Sequence, residues 1–227
     1  MPRAHACPIV IVFLAGCGQP QGQVTLEETT PRTETVDIQA SCDMCPGTYV
    51  AASEIDAYVQ RAIANELTDQ QIRQVDIGKS NVAVAVVHRG PRNDPDATVA
   101  EHDLVSEVYH VISGSATLVL GPDLVNPVRR SATATTVRLL NGPGHNAEAI
   151  RDGVAYDLSA GDVVIIPAGT GHQFTRIDDH ITYLMIRVDP DKVTPPKTQE
   201  DSVRDLATDG SATAGGGAGA AAPAITP

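Results

Sequence analysis

The chain has 227 residues, 42% of them hydrophobic, enough for one substantial domain or two very small ones. Aromatic residues make up only 3% and Trp is absent, so Val, Ile, Leu and Ala must fill any core. A formal charge of −12, with no Lys/Arg cluster to release counterions, excludes a nucleic-acid backbone as partner.

Residues 1–16 read as a cleaved signal peptide. Arg3 precedes an apolar run from Pro8 to Leu14 that is too short to span a bilayer as a permanent helix. Leu14-Ala15-Gly16-Cys17 resembles the lipobox of bacterial lipoproteins, which implies acylation of Cys17 as the new N-terminus. An ordinary secretory signal with a chance cysteine is the alternative. Gly18, where an Asp would favour inner-membrane retention, implies by the same resemblance an outer-membrane lipoprotein facing the periplasm. Several acyl chains would anchor it stably, and the lipid would be its one contact with the membrane. Residues 17–40 are rich in Gln, Thr, Glu and Pro and read as a flexible tether. Cys7 leaves with the signal and Cys17 carries lipid, so Cys42 and Cys45 remain, and an oxidising compartment favours a disulfide between them. A thioredoxin-like pair would need a βαβ context, and a zinc half-site would need two further ligands.

The domain is placed at 41–197, with a helical prefix about 53–76 and a barrel about 81–190; residues 198–227 read as a disordered tail, low in complexity from Asp209 onward. Ser53 is the N-cap candidate for a helix through Leu67, with Glu54 and Asp56 in its first turns and Ile55, Val59, Ala62 and Ile63 as its apolar stripe. Thr68-Asp69 caps a second, short helix through Val75 that Gly78 stops. From Asn81 the character changes to short β-like runs: NVAVAVVH, ATVAEH, EVYHVIS, SATLVLG, TVRLL, DVVIIP, HQFTRI and ITYLMIRV. Gly, Pro, Asn and Asp punctuate them, as in an antiparallel sandwich or barrel. Gly114-Ser115 and Asp178-Asp179 are the expected hairpin tips.

His102 and Glu107 lie among apolar positions at an odd offset, so on one straight strand they would face opposite ways. They share a site only if Asp103 to Ser106 reverses or bulges the chain, which places them on neighbouring antiparallel strands. Alternation after Glu107 puts Tyr109 on its face and His110 on the other.

His102, four residues, Glu107, six residues and Gly114 are similar to the first motif of the cupin superfamily. Gly161-DVVII-Pro167-Ala-Gly169-TG-His172 is similar to the second, with its Gly, Pro, Gly and His in register. The resemblance spans roughly Asn81 to Pro190 and departs twice: Ala100 stands where the first motif opens with His, and Arg176 where the second ends with Asn. It implies an all-β jelly-roll barrel behind a short helical segment, with His102, Glu107 and His172 converging inside the mouth. A buried carboxylate needs positive compensation, and two imidazoles with one carboxylate suit a divalent transition metal: Fe, with Mn, Zn or Ni also feasible. Tyr109 and Arg176 would orient a substrate. Arg187 would bind an anionic ligand or close a salt bridge, and the loop 141–146 could supply His145 as an adventitious fourth ligand. The alternatives stay open: a surface His102, Glu107 paired with Arg176 or Arg187, His172 as a turn residue, Tyr109 as a core residue. The resemblance also implies a homodimer paired through an edge strand.

The expected function is that of an exported, lipid-anchored, metal-dependent enzyme, oxygenase-like, acting on a small molecule. The alternatives are a non-catalytic module binding a small ligand and a metal-free scaffold. Hydrolase and nucleotide-dependent classes lack their nucleophile–base pair and phosphate loop.

Overall fold

Alternating apolar residues from Asn81 onward build strands, as the sequence suggests, while two stretches outside that pattern take forms it does not announce. The computed structural model describes residues 39–208; the signal segment, Cys17, most of the tether and the tail beyond 208 lie outside the described residues. In chain order come α1 (Ala52–Ala64), β1 (Asp69–Asp76), β2 (Asn81–Arg89), β3 (Arg92–Asn93), β4 (Val99–His102), β5 (Ser106–Gly121), β6 (Leu124–Val125) and β7 (Val128–Arg129). A π-helical turn, Val137–Asn141, then leads to β8 (Gly144–Ala147), β9 (Ala149–Ile150), β10 (Val154–Ser159), β11 (Val163–Ile166), β12 (Gly171–Ile177), β13 (Ile181–Asp189) and α2 (Gln199–Ala207).

The fold is all-β with short helical additions. One sheet runs β1-β2-β13-β5-β11 and the other β10-β5-β12-β4-β8-β7. β5 belongs to both: its first half pairs with β13 and β11, its second with β10 and β12. Gly114, with φ 78°, marks the handover, and a Cβ there would collide with the His180 carbonyl oxygen. The expected hairpin tip at Gly114-Ser115 is therefore a bend inside one 16-residue strand, because only glycine accepts that backbone conformation at this close approach. The tip at Asp178-Asp179 does join β12 to β13.

The core between the sheets includes Val87, Tyr109, Val111, Leu118, Phe174 and Tyr183. On the outer face of the first sheet, α1 and α2 bring Tyr58 and Leu206 onto Ile72, Val86 and Leu184. The expected second helix is instead the edge strand β1. Its residues pair with β2 from Asp69↔Val87 to Asp76↔Asn81, and this pairing overrides the helical propensity of Gln and Arg. A bulge between Gln71 and Arg73 turns Arg73 outward to Glu54 (2.9 Å) and Ser202 (3.0 Å). TVRLL is likewise not a strand but the π-helical turn and its lead-in. Residues 199–207, assigned to the tail, form α2, started by a capping box between Thr198 and Asp201 and fixed to β1 through Ser202. The N-cap of α1 is Ala51, not Ser53, and offers no side-chain cap, and Ile63 of the expected stripe is 49% exposed. Cys42 and Cys45 are joined by a disulfide.

Candidate metal centre

Three rows of inward-facing residues run across the first sheet: Gln74-Ala83-Arg187-Glu107, Gln71-Ala85-Met185-Tyr109 and Asp69-Val87-Tyr183-Val111. Ala83 and Ala85 present only methyl groups, which leaves room for the Arg187 side chain to cross β2 and pair with Asp69. The opposite sheet contributes His102 at the end of β4 and His172 near the start of β12. Asp103 to Val105 carries the chain over between the sheets. His102 and Glu107 therefore face each other from opposite sheets, not from paired neighbours as the sequence reading had them; β4 pairs with β12 and β8.

His102, Glu107 and His172 are all buried, and one ligand atom from each lies within 4.8 Å of the others. His102 Nε2 is 3.4 Å from Glu107 Oε1, and His172 Nε2 is 3.7 Å from Glu107 Oε2. Ligand atoms ~2.1 Å from a shared ion are separated by about 3 to 3.5 Å, so a small inward adjustment closes the set. The protonation of His172 suits a ligand. Its Nδ1 is 3.2 Å from the Thr170 carbonyl and must donate to it, so the Nε2 lone pair faces a carboxylate oxygen. Two acceptors facing each other with no proton between them favour a cation. Burial pushes the His172 imidazole down to about 4, against the opposing pull of Glu107, so it is neutral at ordinary pH.

Burial alone would raise the Glu107 carboxyl, but the hydrogen bond from His102, with the positive charge of Arg187 behind it, holds it well below the usual range. Arg187 Nε lies 3.4 Å from Glu107 Oε1, and both side chains are buried. Tyr109 donates to Glu107 Oε2 at 2.7 Å, and burial followed by that carboxylate pushes the phenol well above its ordinary value. Tyr109 thus reaches the site by fixing Glu107. Arg176 does not reach it. Between Phe174 and Arg176 the β12 register shifts by one residue, so Arg176 turns out to solvent, 62% exposed, and forks Asp178 at 2.6 and 2.8 Å. His145 faces away too. It takes up Glu101 Oε2 at 2.9 Å on the other side of β4, beside Asp103, and Arg129 closes that group of charges. His110 is exposed, as alternation requires.

Two residues beside the site carry no sequence signal. Asp69 holds the far end of Arg187. Arg130, just past β7, donates through Nη2 to the Glu101 carbonyl and, at 2.9 Å, to His102 Nδ1. A cavity of about 390 Å³ opens at the β1 edge; Asp69, Gln71, Leu139, Leu140, Pro196 and Lys197 help line it.

No family model matches the chain, and no curated protein matches it. Among solved structures, a Bacillus halodurans protein is 14% identical over 73% of this chain and 98% of its own, with a TM-score of 0.38. The cobalt(II) form of HppE in complex with Tris buffer is 14% identical over 53% of this chain and 52% of its own, with a TM-score of 0.31. A predicted oxalate decarboxylase of Thermotoga maritima is 13% identical over 55% of this chain and 94% of its own, with a TM-score of 0.27. The chemistry of the site rests on its own side chains and not on these likenesses.

Proposed function

We propose that this is a cupin-type barrel of the bacterial cell envelope that holds a divalent transition metal between His102, Glu107 and His172 and acts on a small molecule. One observation carries the reading: a neutral imidazole nitrogen and a carboxylate oxygen face each other at 3.7 Å in the interior, with a second imidazole nitrogen 3.4 Å from the same carboxylate. When bound, the ion supplies Lewis-acid polarisation with coordination positions left open. The protein supplies the rest. Tyr109 holds one carboxylate oxygen of Glu107 by a hydrogen bond, the Arg187 guanidinium lies 3.4 Å from the other, and Thr170 fixes the ring of His172. The β1-edge cavity reaches Asp69, whose partner Arg187 lies beside Glu107, but none of the three candidate ligands lines it. Export and lipid attachment at Cys17 follow from the signal-like start and the LAGC stretch.

Elemental analysis of purified protein against His172→Ala tests this reading. About one equivalent of a transition metal per chain is expected, lost or reduced more than tenfold in the variant, because two remaining ligands hold an ion poorly. A chain free of transition metal after refolding with iron, manganese, zinc or nickel would sink it. The proximity of Arg187 favours one second reading, a metal-free barrel in which that guanidinium alone balances Glu107. The same measurement separates the two.

A further inference from the structure

The two candidate histidine ligands are held in opposite tautomers. His172 donates from Nδ1 to Thr170 and so presents a bare Nε2 to the site. His102 does the reverse. Its Nδ1 lies 2.9 Å from Arg130 Nη2, a guanidinium nitrogen that can only donate, so Nδ1 must accept and the ring proton sits on Nε2, toward Glu107. A nitrogen carrying that proton cannot bind a metal ion.

The placement of Arg130 is built into the strands around it. Its backbone N–H donates to the Gly144 carbonyl at 3.0 Å, and Gly144 stands opposite His102 in the β4–β8 register. A Cβ on Gly144 would collide with both the Arg130 guanidinium and the Glu101 carbonyl, so the missing side chain opens the path by which Arg130 crosses β8. Arg130 is partly buried, and its Nε is sealed from solvent without a hydrogen-bond partner. Arg130 therefore bears the cost of an unsatisfied donor while it engages His102 and the preceding carbonyl.

We propose that Arg130 is a lock on the metal centre: it holds His102 in the Nε2–H tautomer, and an ion enters only when the guanidinium withdraws and the ring proton moves to Nδ1. This rests on the metal reading above. It makes Arg130 a positioning residue that lowers affinity, where residues behind a metal ligand ordinarily raise it. The second guanidinium, Arg187, is tied to Asp69 and acts on Glu107 instead.

Two measurements test the lock. The first needs no variant and no ion: nitrogen-15 chemical shifts of the histidines in EDTA-treated protein. The expected result is opposite tautomers, His102 protonated at Nε2 and His172 at Nδ1; His102 protonated at Nδ1 overturns the proposal. The second is cobalt(II) titration of the natural protein and of Arg130→Met, which keeps the bulk of the side chain and removes its donors. The variant should bind cobalt at least about tenfold more tightly, the scale on which partners behind a ligand tune affinity. Equal affinity removes the lock and leaves the metal centre standing. Failure of both proteins to take up cobalt removes the metal centre, and the lock falls with it.

Discussion

Glu107 takes a hydrogen bond from Tyr109, faces two imidazoles and lies beside Arg187, while burial keeps His172 neutral; together these make the site sensitive to acid. The folded His172 is depressed from 6.5 to about 4, so between those values the unfolded chain binds a proton that the folded chain refuses. Its contribution is complete above about pH 6.5 and is lost as pH falls toward about 4. Glu107, also depressed, adds a loss in the same direction below its ordinary 4.5. Urea midpoints from pH 7.5 downward should fall progressively, on the order of 3 kcal/mol for His172 across its window, and His172→Gln should flatten the upper part of the curve. A midpoint that does not move between about pH 6.5 and about pH 4 would contradict this account of His172. At this scale His102, Glu107 and His172 were legible, because motif spacing and strand alternation are local patterns. Arg130 and Asp69 were not: they meet their partners across 28 and 118 residues, and nothing near them in sequence marks those contacts. Arg176, expected to orient a substrate, faces solvent because the β12 register shifts by one residue between Phe174 and Arg176.

Among the elements, β5 shows why a glycine is ambiguous. Gly114 between two apolar runs reads as a turn, yet the strand continues through it and bends from one sheet to the other. Gly114→Ala should lower stability by about 2 kcal/mol or more, since the backbone has φ 78° and the added methyl meets the His180 carbonyl. Chemical denaturation checks this, and an unchanged midpoint would mean the strand can bend elsewhere. β1 misled for a related reason. Gln70 to Gln74 has no two-residue hydrophobic alternation, because its inner face carries Asp69, Gln71 and Gln74 as polar walls and its outer face is covered by helices. α2 was hidden in a stretch read as tail, although Thr198 and Asp201 spell its cap. The strands β2 and β13 were recovered closely, since each is a β-branched, apolar run with turn residues at its ends.

For the whole molecule, the proposed anchor and the proposed dimer can be examined together. The edge strands β10 and β11 expose Val154, Tyr156, Val163 and Ile165 around a seam cavity of about 410 Å³, an apolar surface of the kind a second copy would cover. Cys17→Ser should abolish palmitate incorporation in cells, and a chain lacking residues 1–17 should sediment at twice its own mass. Retained label would refute acylation at Cys17, and monomeric sedimentation would refute the pairing. The shared β5 bears on how the interior can be reached. One continuous backbone is a central member of both leaves, so they cannot swing apart like a clam without breaking hydrogen-bonded rungs in the middle of each. Access to Glu107 is thereby left to the ends of the two sheets and not to their parting.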